Sequence, residues 1–206
     1  MDIKDKIIAA SSELFQRYGV RSVSMDDIAH HLAISKKTLY QNFKDKDDIV
    51  TTAFRRHMDK EKAEYVDIHA RAKDPIDEMK RVSSCMRKDF KNINPSLLFD
   101  IQKYHPKAWE IWLAFKNDHI YGTITDNLKS GVEMGFFRED INVEILAKLR
   151  LETVQMAFDT RLFPPDKFDL SDIQVQIFEH FLQGVLTDKG RALYEKYTRE
   201  EEVNQS

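Results

Sequence analysis

Apolar residues recur at helical spacing along most of this chain, and Gly and Pro separate the helical segments. Residues 3–18 place side chains such as Ile7 and Phe15 on one helical face, and Gly19 follows as a stop signal. Residues 46–68 carry a second, longer pattern of the same kind. We find no segment that alternates apolar and polar residues as a strand does. The pattern therefore predicts an all-α fold.

Further helices are predicted from their start signals. Asp74-Pro75 is typical of a helix N-terminus, because Asp is a good N-cap and Pro is accommodated in the first turn. Asn142 and Ser171 are predicted to open two strongly apolar helices over residues 143–162 and 171–186, and a short final helix is predicted around residues 190–197. With six Gly and five Pro in 206 residues, the chain has few tight turns, which favours long helices.

Composition and charge narrow the class of protein. Hydrophobic residues make up 42% and charged residues 33%, so a buried core is expected. The net charge is −3, and any DNA contact must therefore come from the placement of charges. The single cysteine, Cys85, indicates a reducing compartment and a buried thiol. We see no secretory signal and no apolar run near the ~20 residues that a membrane span needs, so we expect a soluble, cytoplasmic protein without a membrane contact.

Two short helices are predicted to start about ten residues apart near the N-terminus. Ser24 is placed to cap the first, and Asp27 three residues later completes a capping box. Val23 and Ile28 flank this cap as a hydrophobic staple, and the arrangement recurs at Ser35. The spacing predicts a helix-turn-helix.

The outward positions of the second short helix suit a DNA groove. Residues at the N-terminal end of a recognition helix reach base edges in the major groove, where lysines can donate to guanine. The Tyr40 hydroxyl is at the right reach for a phosphate, and Lys44 and Lys46 lie where the next helix begins. The outward set is Lys36, Lys37, Thr38, Tyr40, Gln41 and Asn42. On spacing alone, a solvated helix face is an equal alternative.

A family resemblance favours the DNA-binding interpretation. The segment from Val23 to Val50, with Ile34-Ser35-Lys36-Lys37-Thr38-Leu39-Tyr40 at its centre, resembles the DNA-binding domain of the tetracycline-repressor (TetR) family. One departure is Ala33, where many members have Gly in the turn. The resemblance implies DNA contacts at Ser24, Met25, Lys36, Lys37, Thr38, Tyr40, Asn42 and Lys46, to which position adds Ser35, Gln41 and Lys44.

The same resemblance implies a C-terminal domain that binds a small molecule and dimerises. An apolar pocket is the usual form of such a site, although a filled helical core has the same composition. The candidate ligand-binding residues are Met86, Phe90, Phe99, Tyr104, Trp109, Trp112, Phe115 and Tyr121. The last two long helices are apolar over much of their circumference, which indicates burial on two sides. The candidate dimer-interface residues are Val154, Phe158, Ile173, Ile177, Phe181 and Gly184, and burial within one chain is the alternative.

The sequence therefore predicts a three-helix helix-turn-helix domain over residues 1–46 and a larger helical ligand-binding and dimerisation domain over residues 47–206. The predicted function is a transcriptional repressor that an unknown, apolar small molecule releases from a palindromic operator on double-stranded DNA. The alternative is an all-α small-molecule-binding or scaffold protein without DNA binding. We find no catalytic motif, no ligand spacing for a metal and no cofactor fingerprint, so an enzyme is not expected.

Overall fold

The computed structural model describes residues 2–205, and the side chains of residues 2–200. Helices form all of the regular structure in this range, and a single isolated bridge joins Phe137 to Leu186. This confirms the all-α prediction. The helices are α1 (Ile3–Tyr18), α2 (Met25–His31), α3 (Lys36–Asn42), α4 (Lys46–Arg71), α5 (Pro75–Phe90), α6 (Leu97–Tyr104), α7 (Pro106–Ala114), a π-helix (Phe115–Ile120), α8 (Tyr121–Glu133), α9 (Val143–Met156), α10 (Leu170–Val185) and α11 (Asp188–Gln205).

The chain divides into two compact units. The first unit holds the described part of residues 1–62 together with Asn92–Phe115 and Phe158–Lys167. The second unit holds Ala63–Lys91, Lys116–Ala157 and the described residues from Phe168 onward. Helices α6 and α7 therefore belong to the same unit as the predicted helix-turn-helix. The domain boundary at residue 46 stays a prediction.

The first unit is organised around one apolar core. The inner faces of α1 to α4 meet there, and Ile101 of α6 and Ala108 of α7 close it. Fully burying each large aliphatic or aromatic side chain stabilises the fold by about 1.5–3 kcal/mol. Backbone hydrogen bonds support the same packing, since the Asn94 N–H donates to the Gln16 carbonyl at 2.6 Å. The core consists of Ile7, Ile8, Leu14, Phe15, Val20, Val23, Ile28, Ala29, Leu39, Phe43, Ile49, Val50, Ala53, Ile101 and Ala108.

The second unit has its own core, in which α5 packs along α10 and α8 packs along α9. The chain leaves α8 through a tight turn in which Gly135 has a φ of +71°. Gly131 is required one turn earlier because a Cβ there would lie 1.9 Å from the Phe137 ring. The buried residues of this core are Ile76, Met79, Met86, Leu128, Phe137, Ala147, Phe178, Leu182, Val185 and Leu186.

Several predicted helix bounds are wrong in informative ways. Helix α9 ends at Met156 instead of residue 162. The chain turns there because the Arg161 N–H donates a hydrogen bond to the Asp159 carboxylate at 2.9 Å. Asp169, not Ser171, caps α10, and it accepts hydrogen bonds from the backbone of Ser171 and the next residue. The final helix is longer than predicted, since α11 spans Asp188–Gln205.

Candidate DNA-binding interface

Helix α2 begins with the predicted capping box. The Asp27 N–H donates to the Ser24 hydroxyl at 3.1 Å, and the Ser24 N–H donates to the Asp27 carboxylate at 2.8 Å. The Ser24 hydroxyl also donates to that carboxylate at 2.6 Å, and this bond lowers the pKa of Asp27. Val23 and Ile28 are buried on either side of the cap. The Ser24 hydroxyl, predicted to contact DNA, is thus already engaged with its own helix.

The turn between α2 and α3 depends on an unusual backbone conformation at Ala33. Its φ is +52°, the only positive value at a non-glycine residue among those described. The Ala33 N–H donates to the His30 carbonyl at 3.0 Å, and the Ile34 N–H donates to the Ala29 carbonyl at 3.0 Å. These bonds satisfy carbonyls at the end of α2 and redirect the chain into α3. The turn thus needs the left-handed conformation, for which Gly is better suited.

Helix α3 is capped by Ser35, whose hydroxyl accepts from the Thr38 N–H at 3.0 Å and lies 2.9 Å from the Thr38 hydroxyl. The Asn42 side-chain amide donates to the Thr38 carbonyl at 2.8 Å. Leu39 and Phe43 are buried, so they fix this helix to the core. The predicted contacts Ser35, Thr38 and Asn42 therefore also hold α3 in shape.

The outer face of α3 carries four exposed side chains. Tyr40 is 54% exposed. The Lys36 ammonium lies 2.6 Å from the Asp26 carboxylate of α2, and the hydrogen bond between them raises the pKa of Lys36. An exposed pair of this kind is weak and exchangeable, so it leaves Lys36 able to move to another anion. The exposed set is Lys36, Lys37, Tyr40 and Gln41.

The residues that flank α3 differ in how far their side chains are exposed to solvent. Lys44 is exposed, whereas Lys46 and Met25 are half-buried, and Met25 packs against the core of the first unit. Burial lowers the pKa of Lys46, and the carboxylates of Asp100 and Asp27 oppose that shift. The pairing of Lys36 with Asp26 is visible only in the structure. An acid in the first turn of a helix is ordinary, so the sequence contains no signal for this pairing.

Comparison with known proteins agrees with this geometry. The family model described as "Bacterial regulatory proteins, tetR family" matches residues 7–53, which contain both short helices and the turn between them. Residues 7–53 therefore form a DNA-binding domain of the TetR type.

Some curated relatives match this chain over most of its length. It is 22% identical to the HTH-type transcriptional regulator YvaF of Bacillus subtilis, over 89% of this chain and 96% of YvaF. It is 20% identical to the HTH-type transcriptional repressor KstR2 of Mycobacterium tuberculosis, over 73% of this chain and 76% of KstR2. A Saccharomonospora viridis transcriptional regulator, crystallised in complex with choline, has a TM-score of 0.72 at 19% identity and covers 89% of this chain and 97% of its own.

The predicted ligand-binding residues fall into different parts of the structure. Met86, Phe90 and Tyr121 belong to the second unit, where Met86 is buried. Phe99, Tyr104, Trp109, Trp112 and Phe115 belong to the first unit. Within that unit, Phe99 is 55% and Tyr104 42% exposed. The aromatic content of the sequence alone could not show which of these side chains are buried, which are exposed, and to which unit each belongs.

The predicted dimer residues also differ in exposure. Ile173 is buried within its own chain, Gly184 is exposed, and Val154, Ile177 and Phe181 are half-buried. Phe158 lies beyond the end of α9 and belongs to the first unit. Two apolar residues of α9 outside this predicted set, Ile145 and Leu149, are 63% and 52% exposed.

Two further observations concern the regulator as a whole. Among the described residues, every helix is either too short or too polar to cross a bilayer. Cys85 is buried, and burial together with hydrogen bonds to Asp89 and Glu64 raises the pKa of its thiol. Because the thiolate is the reactive form, this thiol is suited to a structural role.

Proposed function

We propose that this TetR-family regulator is a repressor that leaves a palindromic operator when a small molecule binds its helical C-terminal domain. The observation that carries the proposal is the face of α3, where Lys36, Lys37 and Tyr40 are exposed on a helix fixed by a complete core. The printed name of KstR2 supports repression, and the choline complex supports a small-molecule effector. Action on chromosomal DNA places the protein in the cytoplasm and gives it a binding role instead of a catalytic one.

In this proposal, α3 enters the major groove and its N-terminal lysines read base edges. Lys36 exchanges its bond with Asp26 for a base or phosphate, and Tyr40 donates to a phosphate. Ser24, Ser35, Thr38 and Asn42 support this surface through the caps of α2 and α3. Ligand binding lowers DNA affinity by preferring a conformation whose two recognition helices no longer match successive groove faces, which lie about 34–36 Å apart.

The proposal is tested by selecting bound duplexes from a random library at one stated salt concentration. We expect a palindrome. Lys37→Ala should then weaken binding to that palindrome by about tenfold, because one good base contact is lost. Lys129→Ala is the matched control, since Lys129 is an exposed lysine of the second unit.

Two outcomes of these binding experiments would contradict the proposal. If the folded protein enriches no sequence at low salt, the alternative of a binding or scaffold protein without DNA binding is correct. If Lys37→Ala and Lys129→Ala lose affinity equally on the palindrome and on random DNA, α3 does not read bases.

A second part of the proposal is a homodimer formed by α9 and α10. On α9, Ile145 is 63% and Leu149 52% exposed, and Met156 lies on the same face by spacing. Apolar side chains concentrated on one exposed face mark an association surface. The adjacent helix α10 adds Ile177, Phe181 and Gly184 at the spacing of one face.

Glycine substitutions test the dimer without disturbing the chain. A Cβ added at Gly184 or at Gly122 would meet nothing within 4 Å of its own chain. We therefore expect Gly184→Glu to yield folded monomers in sedimentation experiments, while Gly122→Glu remains dimeric. A dimer that survives Gly184→Glu would exclude Gly184 from the interface.

A further inference from the structure

The second unit buries an arginine that pairs with no carboxylate among the described side chains. Arg150 of α9 is 4% exposed, and burial lowers its pKa to about 10. Among the side chains that the structure describes, no carboxylate lies within ion-pair distance of its guanidinium. A guanidinium keeps its charge at neutral pH, so the described part of the unit carries a buried positive charge without a counter-ion.

Weak hydrogen-bond acceptors and Tyr65 surround Arg150, and the electrostatic interaction with Tyr65 partly offsets the effect of burial on the pKa of the arginine. One terminal nitrogen lies 3.4 Å from the Met86 sulfur, and the other lies 3.5 Å from the Thr153 hydroxyl. The Phe178 ring lies against the guanidinium, with its centroid 5.1 Å from Cζ. A thioether, a long hydroxyl contact and an aromatic face carry no negative charge that would balance the guanidinium.

Another buried cation of this unit has strong hydrogen-bond acceptors. The Lys116 ammonium donates to Glu152 at 2.7 Å and to Gln155 at 2.9 Å. Lys116 therefore has a carboxylate and an amide oxygen as acceptors, whereas the described contacts of Arg150 include neither. An unpaired buried charge opposes folding, so we expect an anion from outside the chain to pair with Arg150.

A second polar group lies one helical turn away. Gln174 of α10 is fully buried, and its amide nitrogen donates to the Val154 carbonyl at 2.8 Å, while its amide oxygen has no hydrogen-bond partner among the described residues. Val154 lies one turn beyond Arg150 on α9, and Phe178 lies one turn beyond Gln174 on α10. The unit thus presents a cationic donor and a free acceptor amid an apolar core.

We propose that Arg150 is the anion-binding group of the effector site, and that the effector is an organic acid. Its carboxylate or phosphate pairs with the guanidinium, a hydroxyl or amide near the acid donates to Gln174, and an apolar body packs against the aromatic and methionine side chains around them. Met86, one of the predicted ligand-binding residues, lies directly against this guanidinium. The regulatory meaning of the site rests on the proposed repressor function, but the binding itself does not.

The experiment compares wild type with Arg150→Met in the absence of DNA. The probes are acetate, benzoate, decanoate and decyl phosphate, each against chloride at equal ionic strength, with decanol as the neutral control. We expect at least one of the acids to raise the wild-type melting temperature and to bind about tenfold or more tightly than to Arg150→Met, as the loss of a charge-assisted bond predicts. Decanol should bind both proteins alike.

The melting temperature without probe separates a binding role from a structural one. Replacing an unpaired buried arginine by methionine removes a desolvated charge, so Arg150→Met should melt at a higher temperature than wild type. Lys116→Met, which breaks a formed pair, should melt lower. If Arg150→Met melts lower, or if no acid distinguishes the two proteins, the proposal is overturned. An acid that binds through Arg150 but leaves DNA affinity unchanged would support the site and contradict the repressor mechanism.

Discussion

The strained turn at Ala33 offers a quantitative test of the helix-turn-helix geometry. Its φ of +52° puts a Cβ-bearing residue in the left-handed region, where an L-residue is disfavoured by about 1–2 kcal/mol. Glycine removes that strain but gains about 0.4–1 kcal/mol of freedom in the unfolded chain. The Ala33 side chain is exposed, so little packing is lost. We therefore expect Ala33→Gly to raise the free energy of unfolding by about 0.5–1 kcal/mol.

Two opposite substitutions control for the composition change. Gly135 has a φ of +71°, and a Cβ there would meet only the Lys189 ammonium at 3.9 Å. Gly135→Ala should therefore lower stability through φ strain alone, by about 0.5–1 kcal/mol. Gly122 lies inside α8 with open space around it, so Gly122→Ala should raise stability by roughly 0.5–1 kcal/mol.

Urea unfolding followed by circular dichroism, at one fixed protein concentration, measures all three differences. The slope against urea should stay constant while the midpoint moves. The reasoning is refuted if Ala33→Gly lowers stability as a glycine inside a regular helix would, or if Gly135→Ala is neutral. Agreement of all three signs would show that backbone conformation at residue 33 sets the turn.

Other contacts give predictions of their own. The hydrogen bond to Asp74 raises the pKa of Tyr197 from 10.0 to about 12, so the stability that this bond contributes is complete below pH 10 and is lost as the pH rises to 12. Tyr197→Phe should therefore show a smaller fall in the free energy of unfolding over this range, and an unchanged pH profile would contradict the prediction. Cys85 should resist iodoacetamide at pH 8 until urea unfolds the protein, and equal rates in both states would disprove this. His105 is buried, and its Nδ1 atom lies 2.9 Å from the Asp47 carboxylate. His105→Ala should therefore lower the free energy of unfolding by about 1–3 kcal/mol in urea titrations, and an unchanged free energy of unfolding would exclude that contact.

Features set by near neighbours in the chain were predictable. The caps at Ser24 and Ser35 join residues three apart, and the start of α5 at Asp74-Pro75 depends on the same short range. Leu39 and Phe43 lie four residues apart, at the spacing of one helical face, and both are buried. Local hydrogen bonds and helical spacing carry enough information for these features.

Features set by packing between helices were not predictable. Apolar spacing continues past the end of α9, so the pattern extended that helix to residue 162, although Asp159 turns the chain earlier. The pair of Lys36 with Asp26 joins two helices across a turn. Arg150 is an ordinary surface residue by sequence, and only the structure shows that it is buried without an anion.

The first unit is assembled from three separated stretches of chain, and this affects when it can form. Ile101 and Ala108 close the core that holds α1 and α4, yet they follow the helix-turn-helix by more than fifty residues. During synthesis, the recognition helix must therefore wait for α6 and α7 before its support is complete. A fragment that stops at residue 62 would expose this face, so the DNA-reading end is not a module that can be cut out and grafted elsewhere.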